Sequence, residues 1–323
     1  MWGELPKLFG KSFAIGYFLP AAAILLSMLV VASNFGYYDK LAALLIKHDS
    51  SNYDAWLGVA ISIFILWMSG VALMALNRPI IRFFEGYNKW NPLRVFLRSK
   101  KRSFARLDTA LDVLRRESET AETSRFDWPD HRSDLYSKLL NKYAQDYPDQ
   151  IDDVLPTRFG NAIRAFEVYS GVIYGLEAID GWPRLLAVIP ADYRQMIEDA
   201  KAQVDFWVNL WAGSLVTAIL YGVLFAVKGP GPRPWIAAAA VLVAVIAARG
   251  AHAVVGEWGA LVMSAFDLFR GDLCKKLGLK MPPTIGEERE MWNLMSDLMG
   301  LRYRKAADRL SRFRDGGRET APH

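Results

Sequence analysis

Two apolar runs, Phe206–Val227 and Trp235–Ala248, constrain this chain more than any other stretch in it. The first is 22 residues long and carries no charge; the second is 14, and continues past Arg249 to Val255. About 20 apolar residues in a helix cross the hydrocarbon core of a bilayer. Only Lys228-Gly-Pro-Gly-Pro-Arg-Pro234 lies between the runs. The pair therefore reads as a transmembrane hairpin with almost no loop.

Two more charge-free blocks, Phe13–Ser33 and Ala55–Leu76, precede it. Hydrophobic residues make up 52% of the chain, and concentrating them in four blocks is the pattern of a membrane protein. The expected fold is all-α and polytopic: four transmembrane helices with a helical cytoplasmic module. Residues 1–76 form the first hairpin (spans 13–33 and 55–76) and 77–205 a helical cytoplasmic domain. Residues 206–255 form the second hairpin (spans 206–227 and 235–255), and 256–323 a cytoplasmic helical extension and tail. The first block follows Lys7 and Lys11 as a secretory signal would. At 21 residues it is longer than a signal core, so an uncleaved signal anchor is expected.

Charge sets the threading. Of 39 Lys and Arg, two precede the first block, 20 lie between the second and third, and 13 lie from Arg249 onward. The two intervening segments hold two each. Basic residues near span ends stay in the cytoplasm, which places both termini and the central region there. Residues 77–106 carry nine bases against one acid, Glu85. Within them Arg82, Lys89, Arg94 and Arg98 interleave with Phe83, Phe84, Trp90 and Phe96, as in a segment lying along the inner leaflet. The expected partners are the bilayer and its anionic inner-leaflet lipids. No nucleic-acid motif accompanies the basic surplus, and no nucleic acid is expected. A homo-oligomer is compatible with the layout.

Along the chain, Pro20 interrupts span one, where a neighbouring helix must satisfy the freed carbonyl. Phe35, Tyr37 and Tyr38 fit an interfacial aromatic belt, and Leu41, Leu44 and Leu45 a short surface helix. From Trp90 to Leu114 apolar residues recur in heptads, broken by Lys100 and weakened at its start by Pro92. Arg115–Asp134 reads as a polar connector, and Ser133–Asp146 as a short helix. Asp149, Asp152 and Asp153 lack the spacing of a calcium loop. Residues 158–190 are either the buried core of the cytoplasmic domain or a re-entrant segment lining a water-filled path. Asp192 to Val227 has no breaker, so one helix of 36 residues, roughly 54 Å, is expected; the fourth span continues likewise to Leu277. Thr284 and Glu287 have capping-box spacing ahead of a last helix with Met291, Leu294, Met295, Leu298 and Leu301 on one face. Asp315–His323 reads as disordered.

Chemistry-bearing signals are few. Cys274 is the only cysteine, which excludes an intrachain disulfide and a cysteine-based metal site. The four histidines are scattered, and neither a cofactor nor a metal site is expected. There is no phosphate-binding loop, zinc-protease helix or nucleophile elbow. The candidate polar residues are Arg158, Arg164, Glu167, Glu177, Arg249 and His252. Arg164 and Glu167 pair at i,i+3 on a helix, and Glu167 and Glu177 are candidate paired carboxylates. Arg249 lies within snorkelling reach of the inner headgroups, and His252 is a proton-relay or pH-sensing candidate. Gly213, Ser214, Thr217 and Ala218, with the alanines at 237–240, 244 and 247, are helix-packing signals, and Asn209 is poised to bond across helices.

Two stretches carry a resemblance. Leu155-Pro-Thr-Arg-Phe-Gly-Asn161 is one; Ala265-Phe-Asp-Leu-Phe-Arg270, with Leu277-Gly278 and Glu287-Glu-Arg-Glu-Met-Trp292, is the other. Together with the four-span layout they resemble a family of uncharacterised bacterial inner-membrane proteins. The resemblance implies a bacterial inner-membrane location and transfers no catalytic residue. The expected function is a non-enzymatic membrane protein whose cytoplasmic module is coupled to the helix bundle, as an oligomeric channel or a sensor–effector. A small-solute transporter is the alternative, and a membrane-embedded enzyme the third reading.

Overall fold

The computed structural model describes residues 10–37, 52–124, 128–301 and 304–314. The proposed surface helix at Leu41–Leu45 and the tail from Asp315 lie outside the described residues. The protein is all-α, with no strand among the described residues; Leu279 and Arg314 form an isolated bridge. Ten helices are named here: α1 Lys11–Asn34, α2 Asn52–Glu85, α3 Leu97–Ser124, α4 Asp130–Asp146, α5 Arg158–Tyr174, α6 Ala178–Leu185, α7 Ala191–Lys228, α8 Trp235–Lys276, α9 Ile285–Leu301 and α10 Arg304–Leu310. Four of them, α1, α2, α7 and α8, are long and apolar enough to cross a membrane. The breaker-free runs through the third and fourth blocks are helices of 38 and 42 residues.

The chain forms two compact units, 1–84 with 198–255 and 85–197 with 256–323. Two divisions fall eight residues from the expected boundaries at Leu76 and Asp205, because helix persists beyond each apolar run.

In the first unit α1 lies parallel to α7. Their contacts advance together: Ile24 meets Gly213, the Ser27 and Thr217 hydroxyls are 2.7 Å apart, and Phe35 stacks edge-on with Tyr221 at 5.2 Å. A Cβ at Gly213 would overlap Ile24, so the small residue sets how closely the helices approach. Helix α8 runs antiparallel to α7: the Trp207 indole seats on Gly250, while Ile236 packs near Tyr221. Ala240, Ala244, Ala247, Ala251 and Val255 are buried along α8 at helical spacing. Phe35 is buried in a cluster with Val31, Tyr221 and Ile236, and Tyr37 packs against it. These two rings are thus structural rather than a lipid-facing belt, because the α7–α8 turn folds over them and Lys228 stacks on Tyr37. By contrast α2 keeps Trp56, Ile63 and Phe64 exposed, as a lipid-facing helix does.

Pro20 produces the local irregularity its chemistry requires. Residues Ala14–Phe18 widen into a π-turn. In an α register Pro20 would have donated to the Gly16 carbonyl; Asn209 Nδ2 donates to that oxygen instead, at 2.9 Å.

In the second unit α3 and α4 share a core of Phe104, Leu107, Leu111, Tyr147 and Val154. The heptad stripe is buried from Phe104 onward, but Trp90 is 97% exposed. Pro92 explains the difference: it opens a 3₁₀ turn, Pro92–Phe96, and helix begins only at Leu97. The stretch 115–124 is helix, not connector. Arg115 and Glu119 pair at i,i+4, no breaker precedes Trp128-Pro129, and Ala121 is buried. Residues 158–190 form α5, α6 and a turn in this unit, with Phe159, Ile163, Phe166 and Leu185 in the core. Gly175 closes α5 at φ 80°, a left-handed conformation that glycine adopts without strain. Thr284 Oγ1 accepts from Glu287 N at 3.4 Å, one half of the capping box.

Candidate functional site

Just before its apolar run, α7 carries Asp199, Lys201 and Asp205. Helical spacing puts Lys201 and Asp205 on one face, and the ammonium contacts both carboxylate oxygens at 2.9 and 2.7 Å. The Asp205 side chain is only 4% exposed, against 37% for Lys201. Its burial is met by donors from two other helices of the same unit. The Tyr17 hydroxyl of α1 donates to Asp205 Oδ2 at 2.7 Å. Asn77 Nδ2 of α2 donates to Asp205 Oδ1 at 3.0 Å and to the Tyr17 oxygen at 3.2 Å. Six residues earlier on α7, Lys11 and Ser12 donate to Asp199 at 3.1 and 3.2 Å. One turn later sits Asn209, wholly buried. Asn77 Oδ1 and Asn209 Oδ1 are buried acceptors that receive no hydrogen bond from the described residues.

This cluster ties three membrane-class helices together through one carboxylate. A buried charge is tolerated when it is paired and its remaining lone pairs are satisfied. Here three neighbours supply the donors. Chemically the site pairs its two carboxylates with the protein's own Lys201 and Lys11, and it sits where α1 and α7 run parallel. Sequence reasoning missed Tyr17, Asn77, Lys201 and Asp205. The available signal was positional: Asn77 directly follows the second apolar block and Asp205 directly precedes the third.

A second network lies in the other unit. Asp267 of α8 accepts from the Tyr169 and Tyr174 hydroxyls of α5 at 3.0 and 2.8 Å. Arg270, one turn on, lies 4.0 Å over the Tyr174 ring and donates to the buried Glu288 of α9 at 2.8 Å. The Trp292 indole, fully buried, donates to the same Glu288 oxygen at 3.2 Å. Burial, then the bond to Asp267, holds the Tyr174 phenol above its ordinary range, and Tyr169 is raised for the same reasons. The AFDLFR and EEREMW stretches thus face each other across this network. The LPTRFGN stretch is a backbone clasp. Asn161 bonds Leu155 at both backbone N and O, and Thr157 caps α5 at Gly160 while donating to the Glu85 carbonyl.

Of the residues singled out from the sequence, Arg158, Arg164, Glu167 and Glu177 lie in one unit, Arg249 and His252 in the other. Arg158 pairs with Asp146 at 3.1 Å. Arg164 bonds Asp153 through Nε at 3.0 Å and reaches Glu167 at 3.5 Å, the i,i+3 pair expected. Glu177 is exposed at the start of α6, where its backbone N donates to Ser296. A cavity of about 290 Å³ is lined by Arg164 but not by Arg158, Glu167 or Glu177. Arg249 is exposed on α8 and His252 half-buried one turn on. Asp152 and Asp153 take Lys101 and Arg164, and no cluster suited to a metal is found among the described residues. Comparison with protein-family models, curated proteins and solved structures finds no match.

Proposed function

We propose that this is a non-enzymatic integral membrane protein of the bacterial inner membrane, with both termini cytoplasmic. Its cytoplasmic helical module senses or docks a partner and biases the transmembrane bundle, as a sensor–effector or an oligomeric channel. The observation that carries this reading is helix continuity. The division between units at Ile197/Glu198 falls within α7, and that at Val255/Gly256 within α8. A helix transmits displacement along its axis because each residue is fixed by bonds to the turns on either side. Basic residues at 35 of 39 positions in the segments assigned to the cytoplasm support the orientation.

Hydrogen exchange on full-length protein in nanodiscs tests the coupling. Glu288→Gln perturbs the module without touching the bundle directly. Coupling predicts altered protection at Tyr17–Ile24 and at residues 205–215; changes confined to 158–190 and 256–301 would refute it. Planar-bilayer recordings without conductance under any condition would remove the channel version.

A transporter reading draws on one observation, the Tyr17–Asn77–Lys201–Asp205 cluster, where the buried Asn77 and Asn209 amide oxygens take no hydrogen bond from the described residues. Ionisable groups within membrane helices are functional candidates. Proteoliposome uptake of a cationic solute that collapses in Asp205→Asn would favour it over the sensor.

A further inference from the structure

We propose that the turn Tyr87–Phe96 is an anchor for the anionic leaflet of the bilayer, with Arg94 taking a lipid phosphate. The inference rests on the membrane reading above and names the partner of one surface. Helix α2, a candidate span, ends at Glu85, and Gly86 terminates it at φ 82°. Trp90 follows five residues later, so chain length alone holds it within about 18 Å of the helix end. The turn is rigidly built: the Asn91 side chain accepts from Leu93 N at 2.9 Å, and Pro92 occupies the first position of the 3₁₀ segment.

What this turn presents is unusual for a water-facing surface. Tyr87 is 48% exposed, Trp90 97%, Val95 74% and Phe96 55%. Large apolar side chains grouped on a fixed turn mark an interaction surface. The charges around them are of one sign. Lys89, Arg94, Arg98 and Arg102 are exposed, while Glu85, the one acid from 77 to 106, is buried. Aromatic rings among cations match the boundary between acyl chains and anionic headgroups. Arg94 opens onto the cavity of about 290 Å³. Of the cations lining it, Lys101 pairs with Asp152 and Arg164 with Asp153. Arg94 pairs with no acid among the described residues, so its guanidinium is the one left for a phosphate.

The test uses full-length protein in nanodiscs holding one copy, made of neutral lipid or of neutral lipid with phosphatidylglycerol. Cys274 is fully buried and stays in place. Nitroxide labels are attached singly through Val95→Cys, Val223→Cys and Asn141→Cys. Val223, 53% exposed on α7, reports insertion of the span, and exposed Asn141 on α4 reports bulk water. The expected result in phosphatidylglycerol discs is a position-95 label shielded from an aqueous nickel relaxant and accessible to oxygen. Each interfacial cation contributes about fivefold, so Arg94→Gln with Arg98→Gln lowers the docked-to-undocked ratio about 25-fold. A water-exposed label at 95 beside a shielded label at 223 would overturn the anchor alone. A water-exposed label at 223 would overturn the membrane reading itself. Shielding at 95 only in discs holding two copies would assign the turn to self-association and overturn the lipid proposal.

Discussion

Replacing Asp205 by alanine removes the acceptor for three donors at once, and the structure sets the size of the effect. The carboxylate takes bonds from Tyr17, Asn77 and Lys201 at 2.7 to 3.0 Å. Breaking a buried ion pair costs about 3–5 kcal/mol when the remaining charge stays buried. Lys201 is 37% exposed, so its ammonium reaches water after the change and part of that penalty disappears. Hydrogen bonds between membrane helices contribute about 0.6 kcal/mol on average and up to about 1.7. Two neutral donors plus a partly relieved cation give a loss of about 3 kcal/mol for Asp205→Ala. Lys201→Met removes the partner that can escape and leaves the one that cannot, since the Asp205 side chain is 4% exposed. It therefore costs about as much, although a more exposed side chain is deleted. The double variant Asp205→Ala with Lys201→Met costs less than the sum, because no charge is then left buried. Reversible unfolding of full-length protein in mixed micelles, titrated with dodecyl sulfate, measures each difference. Tyr17→Phe completes a second cycle with Asp205, with an expected coupling of about 0.6–1.7 kcal/mol. If Asp205→Ala lies within about 0.5 kcal/mol of the parent, or the cycles are additive, the cluster does not hold the three helices together.

Three further outcomes follow from packing and charge. Gly213→Val drives a side chain into Ile24 and lowers stability by about 2 kcal/mol, and Ile24→Ala restores part of it; additive losses in the same titration would place the two helices further apart than described. Arg270→Ala leaves the buried Glu288 with Trp292 as its one side-chain donor among the described residues, at a cost of about 3 kcal/mol, and hydrogen exchange should report it as lost protection in α9; unchanged protection there would mean that the ion pair contributes nothing to α9. The phenols at 169 and 174 are raised in the folded state, so their stabilisation is complete below the unfolded tyrosine value near pH 10 and is lost as pH rises beyond it. Thermal midpoints between pH 8 and 11 should fall less steeply in Tyr174→Phe, and parallel slopes would remove that residue from the alkaline response.

The membrane helices were legible because lipid acts as one uniform solvent: an uncharged run of about 20 residues has few other fates. The continuous third and fourth helices were legible for a simpler reason, the absence of any breaker after Pro190 or between Pro234 and Pro282. The Pro20 remedy was half legible. A freed carbonyl needed a donor and Asn209 was a polar residue without an assigned neighbour, but only the parallel packing of α1 on α7 brings it to Gly16. Residues 115–124 were misread because polar composition resembles a loop, whereas i,i+4 pairing makes the same residues a solvated helix. The six candidate polar residues were chosen by type, along one stretch at a time, and type does not report convergence. Asp205, Tyr17 and Asn77 could have been found by threading instead. If spans one and three enter the bilayer from the same face that span two leaves by, then the start of the first block, the end of the second and the start of the third share one level. Tyr17, Asn77 and Asp205 are polar residues at those three edges. The alternation of spans therefore selects which distant polar groups can meet, and a carboxylate at that level needs the donors the other two edges supply.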